Sequence, residues 1–173
     1  MQKITPKKFI TLIAVLGLGG MIIAYAVAFA ADTATVTATV TMQKISLSVS
    51  DGTVDYGILP ADTTESTCSS ELGDAQTVTS DGNVAEDFNI KGQNSANWTL
   101  ASTAGTDQYV HSFATSTCST WPGGTALSTS YATLATNVAP NATTTLNLQI
   151  HTPTSSSVYT QQNVDVMLEA VAH

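Results

Sequence analysis

Residues 146–151 read Leu-Asn-Leu-Gln-Ile-His, and residues 164–170 read Val-Asp-Val-Met-Leu-Glu-Ala. In both stretches an apolar side chain occupies every second position, so each predicts a β-strand with one apolar and one polar face. In the first stretch the polar face consists of Asn147, Gln149 and His151. The chain beyond its first 30 residues is rich in Thr, Ser, Ala and Val, a composition that favours strands over helices.

Seven further segments carry strand-forming residues between turn signals such as Asp81-Gly82-Asn83 and Pro122-Gly123-Gly124. The predicted strands are residues 45–49, 54–59, 76–79, 88–90, 98–101, 109–113 and 131–134. Because no helix-length amphipathic segment separates them, the pattern predicts an all-β fold. We expect a two-sheet antiparallel β-sandwich of immunoglobulin-like or jelly-roll type, with Tyr56, Phe88, Trp98 and Phe113 in its core.

The N-terminus has the pattern of a secretory signal peptide. Three lysines precede residues 9–25, a run without charge, and Ala28-Phe29-Ala30 supplies the small-x-small exit that signal peptidase reads. Cleavage after Ala30 predicts a secreted protein of the extracellular cell surface. The alternative is a retained membrane anchor, because residues 9–31 are also long enough to span a bilayer. The predicted organisation is a signal peptide at 1–30, an N-terminal strand or donor arm at 31–42 and one β-sandwich domain at 43–173.

Loss of the leader makes the chain strongly acidic. Two lysines and all 13 acidic residues remain, which gives a net charge of −11, and the sequence has no arginine. Nucleic acid and anionic membranes are therefore excluded as partners, because binding to phosphate groups needs clustered basic residues. We expect contact with a membrane only through the leader before cleavage.

Cys68 and Cys118 are the only cysteines. In an exported chain they predict a disulfide, which would stabilise the fold by roughly 3–4 kcal/mol for a closed loop of this size. Both lie in segments rich in Ser and Thr, so the bridge is expected to join two surface loops.

Residues 33–41 alternate Thr with Ala or Val without interruption. This places Val36, Val40 and Met42 on one apolar face, whereas the apolar positions of residues 45–49 have the opposite parity. One interpretation is a β-bulge in an edge strand, or a strand that crosses between sheets. The other is a separable assembly arm that completes the sheet of a neighbouring subunit by β-strand addition.

Two motifs resemble those of a known group. Residues 54–60 read Val-Asp-Tyr-Gly-Ile-Leu-Pro, and residues 77–84 read Thr-Val-Thr-Ser-Asp-Gly-Asn-Val. Together with the leader and the Thr/Val-rich segment, they resemble the exported bacterial β-sandwich surface proteins of the camelysin and TasA-type biofilm-fibre group. The resemblance implies a cell-surface sandwich that assembles into fibres through an N-terminal strand.

The sequence offers no sign of catalysis. His111, His151 and His173 are scattered, and neither a Gly-x-Ser-x-Gly elbow nor a His-Glu-x-x-His motif is present. We therefore predict no catalytic residues, no cofactor and no enzymatic activity. The acidic turns at 51–55 and 81–87 leave two interpretations open, a calcium site or ordinary solvated turns.

These observations predict a secreted structural protein, a fibre, matrix or coat subunit whose partner is itself or another surface protein. The alternative is a monomeric adhesin or carbohydrate-binding module, for which Trp121, Tyr131 or Tyr159 would form an aromatic platform. A secreted hydrolase and a type IV pilin are further alternatives. The pilin hypothesis lacks the glycine before Phe9 that prepilin processing requires.

Overall fold

The computed structural model describes residues 32–69 and 72–173, and the predicted signal peptide, residues 1–30, lies outside them. The chain divides after Val40 into two units. In the first unit, residues 32–40 have no regular secondary structure. The second unit, residues 41–173, contains ten strands. Within the described residues, no helix has the length and hydropathy to cross a membrane.

The strands follow one another along the second unit. They are β1 (Leu47–Val49), β2 (Thr64–Ser66), β3 (Gln76–Ser80), β4 (Glu86–Gly92), β5 (Thr99–Leu100), β6 (Gln108–Ala114), β7 (Thr125–Ala126), β8 (Ala132–Val138), β9 (Thr143–His151) and β10 (Val166–Ala172).

These strands form two sheets, which confirms the all-β prediction. The larger sheet has seven strands in the order β1-β3-β9-β6-β5, with β2 also paired to β9 and β7 to β6. The smaller sheet has the order β10-β4-β8. The expectation of purely antiparallel sheets is wrong for one pair, because β5 runs parallel to β6. Residues 101–107 connect the two strands and run back to the beginning of β5. Strand β6 therefore starts beside the first residue of β5, and Thr99 pairs with Gln108.

Both sheets contribute to one hydrophobic core, the arrangement of a β-sandwich. Its buried members are Val78, Phe88, Ile90, Phe113, Leu127, Leu134, Val138, Leu146 and Leu148. The prediction of core aromatics is therefore confirmed for the two phenylalanines. Tyr56 is half-buried and packs against this cluster. Trp98 is also half-buried, and its indole N–H donates to the Ser156 hydroxyl at 3.0 Å.

Two predicted strands are not strands in the structure. Residues 33–41 contain no strand, and residues 54–59 are irregular, with a bend at Ile58. There the Asp55 carboxylate accepts from the Gly57 amide at 2.9 Å, and Gly57 has a φ of 69°, a left-handed conformation that glycine adopts without strain. The bend leaves Ile58 fully exposed. The short strands β2 and β7 were not predicted, because neither has an alternating pattern.

The predicted disulfide between Cys68 and Cys118 is present. It joins two loops that cover part of β9, where Asn147 is buried although the alternation predicts an exposed side chain. The Thr67 hydroxyl donates to the Asn147 amide oxygen at 3.1 Å, and the Asn147 amide group donates to the Ser116 carbonyl at 2.8 Å. Asn147 is thus buried because the two disulfide-linked loops satisfy its hydrogen bonds.

Candidate assembly surface

The residues of the predicted assembly arm are exposed. Val36, Val40 and Met42 retain 91%, 92% and 86% of their accessible surface. Residues 32–46 belong to no strand. Exposed apolar side chains that share one face of a segment offer a candidate contact surface for a partner.

Asn83 holds the end of this segment, residues 42–46, on the domain. Its side-chain amide donates to the Met42 carbonyl at 2.8 Å and accepts from the Lys44 amide at 2.7 Å. Its own backbone amide donates to the Lys44 carbonyl at 3.1 Å. Asn83 therefore hydrogen-bonds to residues 42–44 much as a neighbouring strand would.

Glu86 also holds residues 42–46 on the domain, and its side chain is fully buried. One of its carboxylate oxygens accepts from the Ser46 amide at 2.8 Å, and the other accepts from the Ser80 hydroxyl at 2.9 Å. A buried carboxylate requires such donors. A side chain at Gly82 would collide with the Glu86 carboxylate and with the Lys44 carbonyl, so the turn needs glycine. The sequence pattern predicted a turn at residues 81–83, but it did not predict that this turn holds residues 42–46 on the domain.

β10 presents a free edge. All seven of its residues pair with β4, and no other strand of the described chain pairs with β10. Its inward-facing residues Val166, Leu168 and Ala170 pack against the core but remain half-buried. Outward-facing Met167 and Val171 are exposed. A long edge with apolar side chains on both faces is a template for pairing with another chain.

The held segment and the residue after the C-terminal end of β10 line the same cleft. Thr41, Met42 and Gln43 line a cleft of about 420 Å³ together with residues 83–85 and His173. His173 directly follows β10, and its amide donates to the Ala85 carbonyl at 3.1 Å. Residues 41–43 therefore lie near the C-terminal end of β10.

Within the described residues, the aromatic side chains of the alternative binding hypothesis lie apart from one another. Trp121, Tyr131 and Tyr159 form no ring contact with one another; the Tyr131 ring lies 4.5 Å from the Lys91 ammonium instead. The contacts between aromatic rings join Tyr56, Trp98, Tyr109 and His111.

The three histidines lie in separate environments. His111 is buried, with Nε2 3.0 Å from the Tyr56 hydroxyl. His151 contacts Asp62 at 3.0 Å, and His173 contacts Asp87 at 2.8 Å. Among the described residues no serine or threonine hydroxyl hydrogen-bonds to a histidine ring.

In the two acidic turns, carboxylate oxygens accept hydrogen bonds from backbone amides of the protein itself. Asp51 accepts from the Thr53 amide at 2.8 Å, and this bond holds the pKa of Asp51 below its ordinary value. Asp87 accepts from the Asn137 amide at 2.8 Å, and this bond, followed by the contact with His173, lowers the pKa of Asp87. The described residues contain no group of three or more side chains arranged to hold a metal ion.

Comparison with known protein families, curated proteins and solved structures finds no significant match to this chain.

Proposed function

We propose that this protein is a secreted structural protein of the cell surface, a fibre, matrix or coat subunit that assembles by β-strand addition. In this proposal residues 33–41 of one copy pair with the free edge of β10 in the next copy. The sandwich is of immunoglobulin-like or jelly-roll type, and the chain is related to the camelysin and TasA-type group. It carries no catalytic residues and needs no cofactor.

The observation that supports this proposal is the combination of an exposed alternating segment with a free edge on the same chain. The segment offers Val36 and Val40 on one face and threonines on the other. The edge offers seven residues whose inner side chains are only half-buried. Main-chain hydrogen bonds supply the affinity of such pairing, and alternate side chains in pockets supply the register.

The proposal predicts a salt dependence. Each processed copy carries a net charge of −11, so neighbouring copies repel one another. Added salt screens this repulsion, because the Debye length falls from about 30 Å at 0.01 M to about 8 Å at 0.15 M. Assembly, followed by light scattering and electron microscopy of the processed protein, is therefore expected to increase with ionic strength.

A pair of charge variants tests the arm. The double variant Val36→Asp/Val40→Asp places two charges on the apolar face and is expected to abolish filaments. The matched control Thr35→Asp/Thr39→Asp adds the same charge to the opposite face and is expected to retain them. Equal behaviour of the two variants, with the fold intact by circular dichroism, would show that the arm does not insert by its apolar face.

Cysteine cross-linking tests the acceptor edge. Thr39→Cys in one copy and Met167→Cys in another are expected to form an intermolecular disulfide when the two variants are mixed. Thr133→Cys is the control, because Thr133 is exposed on β8, the opposite edge strand of the same small sheet. Cross-linking to position 133 but not to position 167 would move the acceptor to the β8 edge.

A further inference from the structure

A trough lined mostly by residues with polar side chains lies on the face of the larger sheet that points away from the core. It has a volume of about 390 Å³. Its floor consists of Val110 and Ser112 on β6 and of Gln149 and His151 on β9, the positions that alternate with buried residues. Val110 pairs with His151 and Ser112 pairs with Gln149, so the four side chains form a continuous patch across two strands.

Both walls of the trough are held by hydrogen bonds. On one side Asp62 adopts a left-handed φ of 55°, and its amide donates to the Pro153 carbonyl at 2.9 Å. On the other side residues 102–104 lead into Gly105, whose carbonyl accepts from the Thr154 amide at 3.1 Å. The trough is therefore formed before any ligand binds, and a preformed site loses little entropy on binding.

The polar groups of the trough include both donors and acceptors. Asp62 Oδ1 lies 3.0 Å from His151 Nε2, so one carboxylate oxygen and one ring nitrogen are committed to each other. Asp62 Oδ2, His151 Nδ1 and the Gln149 amide have no protein hydrogen-bond partner in the described part of the chain. Hydroxyl groups such as that of Ser112 stand beside them, and Val110 adds an apolar surface.

The charge of the trough restricts the class of ligand. No lysine lines it, and its carboxylate repels phosphate, sulfate and carboxylate groups. A sugar hydroxyl, in contrast, donates and accepts at the same time, and it fits a carboxylate beside an amide and an imidazole. The volume lies within the range of small-molecule sites, about 300–1,000 Å³.

From this chemistry we propose that the trough binds a neutral saccharide of one or two rings. The Asp62 carboxylate accepts from sugar hydroxyls, and Gln149 and His151 exchange hydrogen bonds with the neighbouring hydroxyls. The C–H face of the ring packs on Val110. This site does not depend on the arm or on strand addition, so a failure of either proposal leaves the other standing.

Saturation-transfer NMR on the processed protein tests the proposal, with neutral pentoses, hexoses, N-acetylhexosamines and their disaccharides as probes and with glucuronate as the anionic comparison. At least one neutral sugar is expected to bind, and glucuronate is not. Asp62→Asn and Gln149→Ala are each expected to weaken binding about tenfold, since the first replaces a charged carboxylate acceptor with an amide N–H donor and the second removes the amide group.

The control is Asp87→Asn, which alters the other exposed His–Asp pair of the described chain and is expected to leave binding unchanged. Ser112→Ala replaces Asp62→Asn if that variant fails to fold. The proposal is overturned if no neutral sugar binds, if glucuronate binds as well as the neutral sugars, or if the trough variants bind as the unmodified protein does.

Discussion

Protonation of His111 is expected to make the fold sensitive to acid. Only 2% of its surface is exposed, and Nδ1 has no hydrogen-bond partner among the described residues. Burial lowers the pKa of His111 from 6.5 to about 4. The neighbouring Tyr56 and Tyr109 remain neutral in this interval, because burial raises the pKa of Tyr56 and raises that of Tyr109 to about 12.

The sign of the effect follows from the two pKa values of His111. The unfolded chain binds a proton near pH 6.5, whereas the folded protein binds it only near pH 4, so stability falls as the pH decreases between these values. At about 1.4 kcal/mol per pH unit, the loss over the whole interval is about 3 kcal/mol. About 2 kcal/mol of this is lost between pH 7 and about pH 4.5.

Urea unfolding at constant ionic strength, followed by tryptophan fluorescence at several values between pH 7 and about pH 4.5, measures this loss. His111→Gln retains a polar side chain that can reach the Tyr56 hydroxyl but does not titrate, so its stability is expected to vary less over the interval. The variant Ser112→Ala, which changes a neighbouring outward-facing residue of the same strand without altering a titratable group, serves as the control. If His111→Gln loses as much stability as the unmodified protein, burial of a neutral histidine is not the cause.

Three further predictions concern the scaffold. The double variant Cys68→Ala/Cys118→Ala is expected to lose roughly 3–4 kcal/mol of unfolding free energy in urea, whereas a loss below about 1 kcal/mol would show that the bridge constrains the unfolded chain little. Gly82→Ala is expected to lower Tm, because the added methyl group meets Glu86 and the Lys44 carbonyl; an unchanged Tm would contradict the anchor role of this turn. EDTA is expected to leave Tm unchanged, because the acidic turns already use carboxylate oxygens within the protein, and a clear decrease would indicate bound calcium instead.

Local patterns in the sequence predicted most of the strands, although not β2 and β7. Period-two alternation predicted β9 and β10, because side chains of a strand alternate between its faces whatever the strand pairs with. Two cysteines in a chain with a predicted leader predicted the disulfide, because that prediction needs only the residue type and an expected oxidising compartment. Strand alternation and residue type can both be read from the sequence without knowledge of the fold.

The tertiary structure decided which faces are covered and which edges are free. Asn147 follows the polar parity of β9, yet it is buried by loops that the disulfide joins. Asp62 and His151 form one wall and part of the floor of the trough although 89 residues separate them. The β10 edge is free because the described strands pair only with its other side. Alternation in the sequence specifies two faces for each strand. Contacts between distant segments determine which face or edge meets solvent, because covering a face requires a loop or strand from elsewhere in the chain.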